Sequence, residues 1–182
     1  MKRGITVLLF SILVSQICIA QDDQKSLEEG LASINIGAIG AWIDYEKPIS
    51  NQLTISTQLG MEGGFFGGGG DFNYVLTPTI SVEPRFYYNF NKRARKGKKT
   101  INNSANYIKL DAAYAPGLFT FSNENVEVNT QLNLIPMWGL RRAIGKRLNF
   151  EFAVGYGIAF IDQGTIGQFG LDLRVGYFFY KK

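Results

Sequence analysis

The sequence predicts an all-β protein, a single antiparallel up-and-down transmembrane β-barrel of eight strands. Three observations carry this. Apolar side chains recur with period 2 over most of the chain, and the alternate face is small, polar and balanced in charge. No stretch holds the roughly 20 apolar residues that a membrane helix needs.

The chain begins Met1-Lys2-Arg3, continues with an apolar run from Ile5 to Val14, and reaches Cys18-Ile19-Ala20 before the polar Gln21-Asp22-Asp23. This order predicts a secretory signal peptide over residues 1–20, cleaved after Ala20. A lipid anchor on Cys18 is disfavoured because Ile17, just before it, is not small. Residues 21–31 read as a short polar lead-in, and residues 32–182 as the barrel domain.

Cleavage removes Cys18, the one cysteine, and the chain holds no histidine. Disulfides, Cys or His metal sites and Ser-His-Asp triads are therefore excluded. No cofactor is expected.

Nineteen Lys and Arg face fifteen Asp and Glu. Loss of Lys2 and Arg3 leaves a net charge of +2, since residues 1–20 contain no acid. Six of the remaining cations, Lys92, Arg93, Arg95, Lys96, Lys98 and Lys99, form one block, and without them the balance is −4. Such a chain carries one local basic patch and is not a nucleic-acid binder.

The first strand is read over Ala32–Tyr45, where alternation is least regular. Further strands follow from the apolar series Leu53 to Met61, Tyr74 to Phe90, Ile108 to Tyr114, Leu132 to Leu140, Leu148 to Ile158 and Phe169 to Phe179. These make seven, whereas single-chain bacterial barrels have an even number. The eighth is expected within 116–127 or before Ala32. Pro78 and Pro84 are expected to mark bulges in a long strand. Gly63 to Asp71 lacks the GK[ST] ending of a phosphate loop and reads as a flexible connection.

Alternation alone does not say which face is inside. The polar face is rich in Gly, Ala, Ser, Thr, Asn and Gln, unlike the Lys- and Glu-rich surface of a soluble protein. Its charges pair in sign: Glu83, Asp111, Glu151 and Asp172 against Arg85, Lys109, Arg141 and Arg174. Three pairs, Glu83/Arg85, Lys109/Asp111 and Asp172/Arg174, are spaced i, i+2 and so share a face. Aromatics cluster near strand ends, with Trp42, Tyr88, Trp138, Tyr177 and Phe179 expected in a membrane-interface girdle. The polar face is therefore read as interior and the apolar face as lipid-facing.

The segments Glu83-Pro84-Arg85-Phe86-Tyr87-Tyr88-Asn89 and Trp138-Gly139-Leu140-Arg141-Arg142-Ala143-Ile144-Gly145-Lys146, with the ending Gly176-Tyr177-Phe178-Phe179, resemble the small outer-membrane β-barrel proteins of Gram-negative bacteria, in the porin-like superfamily. The resemblance spans about residues 32–180. It implies an integral outer-membrane location and insertion by the outer-membrane assembly machinery, although Tyr180-Lys181-Lys182 extend past the usual aromatic terminus. It also implies that the last strand ends at the periplasm. Counting back through alternating connections then puts the basic block on the periplasmic side and the Gly-rich connection outside.

An eight-stranded barrel is barely wide enough for its own side chains. The inward charges therefore read first as an ion-pair network that plugs the interior of a monomeric barrel with a structural or interaction role. A narrow conduit for small or apolar solutes is the alternative, and a soluble ligand-binding barrel the third reading. No nucleophile stands beside a matching base, so catalysis is not expected. The basic block suits an anionic surface, such as lipid headgroups or lipopolysaccharide phosphates, or forms a solvated turn.

Overall fold

The computed structural model describes residues 26–66, 73–124 and 129–182, with the backbone alone of Phe65 and Phe66. The expected signal peptide, residues 67–71 of the Gly-rich stretch and residues 125–127 lie outside the described residues.

The strands are β1 (Leu31–Gly37), β2 (Gly40–Pro48), β3 (Leu53–Phe66), β4 (Asn73–Phe86), β5 (Asn106–Ala115), β6 (Phe121–Ser122), β7 (Gln131–Ile144), β8 (Leu148–Ile161) and β9 (Gly164–Lys181). Every pairing is antiparallel. The order β1-β2-β3-β4-β5-β7-β8-β9 closes on itself through β9–β1, giving a ring of eight with each strand beside its neighbours in sequence. The two-residue β6 pairs with Val75 and Leu76 of β4, beyond the point where β5 has ended.

The segment 116–127 does hold a short strand, the two-residue β6, but the eighth member of the ring lies elsewhere. Ala32–Tyr45 is two strands joined by a tight turn at Ala38-Ile39, with Gly37 opposite Gly40. The inward positions are odd in β1 (Leu31, Ser33, Asn35) and even in β2 (Trp42, Asp44, Glu46). That change of phase across the turn is why alternation looked irregular there.

The faces follow the alternation. In β9, Asp172, Arg174 and Phe178 are buried, whereas Leu171, Leu173, Val175, Tyr177 and Phe179 are exposed. Ile34, Ile43, Leu59, Ile80 and Ile108 continue the exposed apolar belt on other strands. Most buried positions are polar or charged, unlike a soluble globular core.

The prolines are not at bulges. Pro78 and Pro84 sit in unbroken register with Met61 and Ile55 of β3. On the other side, the β4–β5 pairing skips Glu83 and Pro84 and resumes at Arg85 in the same register, while Pro78 lies in the interval between β5 and β6. Pro136 matches Leu110 of β5, but the β7–β8 pairing skips it. Each proline thus lies in a gap in the pairing along one side of its strand, where a missing N–H costs least. The register shift that does occur lies between Ala32 and Ser33, in the β1–β9 pairing.

The barrel has two unlike ends. The turns at 38–39 and 162–163, and the strand ends flanking 67–72 and 116–130, share one, here the loop end. The start of β1, the end of β9 and the connections at 49–52, 87–105 and 145–147 share the other, the terminal end. Gly63 and Gly64, read as part of a loop, lie inside β3.

Candidate functional site

The terminal half of the barrel is filled. Arg85 Nη2 lies 2.5 Å from Glu83 Oε2, and its Nη1 lies 3.3 Å from Glu151 and 3.5 Å from Glu46. Arg141 bridges Glu46 at 2.7 Å and Glu151 at 2.5 Å. Lys109 Nζ reaches Glu83 at 2.7 Å and Asp172 at 3.2 Å, and Arg174 pairs with Asp172 and lies 3.7 Å from Glu83. Four cations and four carboxylates thus make one neutral, buried network across six strands. Removing a charge from such a network leaves its partners buried and unpaired, which is the costly event.

The cross-strand register builds these contacts. Arg141 of β7 lies opposite Glu151 of β8, which lies opposite Arg174 of β9. Glu83/Arg85 and Asp172/Arg174 also pair along their own strands. Lys109 and Asp111 do not: Lys109 turns to Glu83 and Asp172, and Asp111 has no ion pair within 4 Å among the described residues.

Glu46 was not singled out from the sequence, although it contacts both Arg85 and Arg141. Its signal is the inward series Trp42, Asp44, Glu46, which shows only when β2 is separated from β1. Asp44 accepts hydrogen bonds from Ser33 Oγ and Asn35 Nδ2.

Below the network the end is stoppered. Leu27, Tyr87, Phe90, Ala105 and Tyr107 form a buried cluster, with the two tyrosine rings edge to face at 5.4 Å. Tyr87 Oη donates to Glu46 at 2.9 Å and Tyr107 Oη donates to Glu151 at 3.2 Å. Leu27 belongs to the segment expected as a plain lead-in. Its neighbour Glu28 accepts a hydrogen bond from Asn102 N–H through Oε1, and Glu28 N–H donates to Asn103 Oδ1.

The basic block is not a simple turn. A short helix, α1 (Phe90–Arg95), follows β4, held by the buried Phe90, and just past its cap at Lys96 comes Gly97, whose φ of +63° favours glycine. A 3-10 turn (Ile101–Asn103) follows. Lys92, Arg95, Lys96, Lys98 and Lys99 point to solvent. Arg93 is half-buried and clips the segment, donating to the carbonyls of Ser104 and Lys99.

Four of the expected interfacial aromatics, Tyr88, Trp138, Tyr177 and Phe179, are exposed on the outer surface. Trp138 Nε1 donates to Tyr88 Oη at 2.9 Å, and Arg147 donates to Tyr177 Oη at 3.0 Å. Trp42 corrects the expectation: it is 6% exposed and points inward. Space for its ring comes from glycine, since a Cβ at Gly37 or Gly60 would lie 2.9 and 2.8 Å from it. At Gly139 a Cβ would likewise meet the Tyr107 ring at 2.6 Å.

Above the network the interior is hollow. A cavity of about 630 Å³ extends from Glu83, Asp172 and Arg174 to the rim residues Gly64, Gln131 and Gln168. Its walls carry Glu62, Asp111, Gln58 and the Thr77–Thr79–Ser81 ladder, with an apolar side at Ile135 and Met137. Among the described residues no group of three or more acidic, His or Cys side chains is arranged to hold a metal.

No family model, curated protein or solved structure matches the chain.

Proposed function

We propose that the protein is an integral outer-membrane β-barrel with a structural or binding role and no catalytic one. The observation that carries this is the inverted pattern, a belt of exposed Ile, Leu, Val, Phe and Tyr around a polar, ion-paired interior. Soluble monomers rarely expose contiguous apolar surface beyond a few hundred Å², and a closed ring is one of the two architectures that satisfy their backbone within lipid. The exposed aromatic rim at the terminal end, including Tyr88, Trp138 and Tyr177, is where an interfacial girdle would lie.

The cavity in the loop half favours a conduit as the second reading. Against it stand the Arg85–Glu151–Arg141–Glu46 contacts and the Tyr87–Phe90–Tyr107 stopper below. A cup closed at the terminal end accounts for both halves better than a channel does. In that reading the barrel is a monomer inserted by the outer-membrane assembly machinery and contacting lipid, with lipopolysaccharide as an outer-leaflet neighbour.

Cell fractionation, followed by gel migration of the detergent-extracted protein before and after boiling, tests the reading. It requires recovery with outer membranes and faster migration of the unboiled barrel. A folded, detergent-free soluble monomer would refute it. Single-channel conductance in planar bilayers would favour the conduit instead.

A further inference from the structure

The ion-pair network balances four cations with four carboxylates, yet the cavity above it holds two carboxylates more. Glu62 of β3 and Asp111 of β5 both line the cavity, and neither has a cationic partner within 4 Å among the described residues. Glu62 lies within electrostatic reach of Asp111 and Asp172, and of the network cations Arg174 and Lys109, which pair elsewhere. Asp111 Oδ1 is fully enclosed and accepts no hydrogen bond.

A second, independent observation comes from Gln58, which is 3% exposed and lines the same cavity. Its Oε1 accepts from Arg174 at 3.1 Å, which fixes the amide orientation and leaves Nε2 a buried donor without an acceptor. A buried polar atom left without a hydrogen bond destabilises the fold. The cavity therefore offers acceptors that want a cationic donor and a donor that wants an oxygen.

We propose that this cavity is a binding site for a small organic cation that also carries hydroxyl oxygens, the chemistry of amino sugars and amino alcohols. The ammonium would lie between Glu62 and Asp111, and a hydroxyl oxygen would accept from Gln58 Nε2. The hydroxyls of Thr77, Thr79 and Ser81 flank the same space, and Ile135 and Met137 give a carbon face to pack on. The volume falls in the range of small-molecule pockets, about 300–1,000 Å³. A bare divalent ion is the poorer fit, because hard cations take six or more oxygen ligands and no such cluster exists among the described residues. The inference rests on the cup geometry of the barrel and adds an occupant to it.

The experiment is calorimetric titration of the full-length mature barrel, folded in detergent, with three sugars of one scaffold: glucosamine, glucose and glucuronate. Faster migration of the unboiled sample certifies folding beforehand and reports on the barrel separately from the ligand. Glucosamine should bind saturably, at least about ten-fold more tightly than glucose, because a charge pair in a shielded site is worth that much. Glucuronate should not bind. The variant Glu62→Gln/Asp111→Asn should lose the preference for the cation. Thr79→Arg, which puts a cation into the cavity and leaves both carboxylates intact, should abolish glucosamine binding as well. Absence of saturable glucosamine binding, equal binding of all three sugars, or a preference that survives in both folded variants would overturn the proposal.

Discussion

The guanidinium of Arg174 lies over the ring of Trp42, 5.0 Å from its centroid, inside the barrel. Strand β9 supplies the cation and β2 the ring, with β1 between them. The contact links the buried ion-pair network to the cavity wall. A cation over a desolvated indole face contributes about 2 kcal/mol.

The two tryptophans, Trp42 and Trp138, give this arrangement an optical test. Trp138 is 41% exposed on the outer face and Trp42 is enclosed. In vesicles containing brominated lipid, the Trp42→Phe variant, which keeps Trp138, should be strongly quenched. The Trp138→Phe variant should be quenched little. Equal quenching of both would put Trp42 back on the outer face.

Arg85 touches three carboxylates, Glu46, Glu83 and Glu151, and has no exposed surface. Arg85→Ala should destabilise the barrel by roughly 3–5 kcal/mol, the cost of a buried charge left unpaired. Urea unfolding in lipid vesicles measures this. A change below about 1 kcal/mol, the range of exposed ion pairs, would show that water reaches the network.

Adjacent residues of β4 separate the two faces. Ile80 is 47% exposed and Thr79 is 6% exposed, and both lie at mid-strand. Ile80→Arg should cost about 2–4 kcal/mol if that face meets the bilayer midplane. Thr79→Arg projects into an acid-rich cavity and should be tolerated within about 1 kcal/mol. The opposite ranking would reverse the faces, and two silent substitutions would argue for water outside.

The block at 92–99 lies at the terminal end, with the start of β1 and the end of β9. With the terminal end in the periplasm, trypsin added to intact cells should spare the block, and permeabilised cells should lose it. Lys92, Arg95, Lys96, Lys98 and Lys99 are exposed sites for the protease. Cleavage on intact cells would turn the terminal end outward and make lipopolysaccharide phosphate the contact of the block.

Six strands were legible from period 2 alone, because each is long enough for its alternation to stand out. The β1–β2 hairpin was not, since Gly37-Ala38-Ile39-Gly40 has no polar breaker and the phase of the pattern reverses across it. That merger also placed Trp42 on the wrong face and hid Glu46. Charge pairing along a strand was readable for Glu83 with Arg85, but Lys109 reached across the barrel, and period 2 carries no information on which strands face each other. The cavity was equally invisible, because it depends on how the ring closes.

Ring closure also has a temporal consequence. The first strand pairs with the last, Ile34 opposite Tyr177, so the seam joins residues from opposite ends of the chain. A chain cut short before Gly164 would leave β1 and β8 as two bare edges, each a template for adding another chain. Growth of the polypeptide therefore cannot stabilise this architecture piece by piece. Contacts so distant in sequence form slowly, and until β9 arrives the chain has to be kept apart from its own copies.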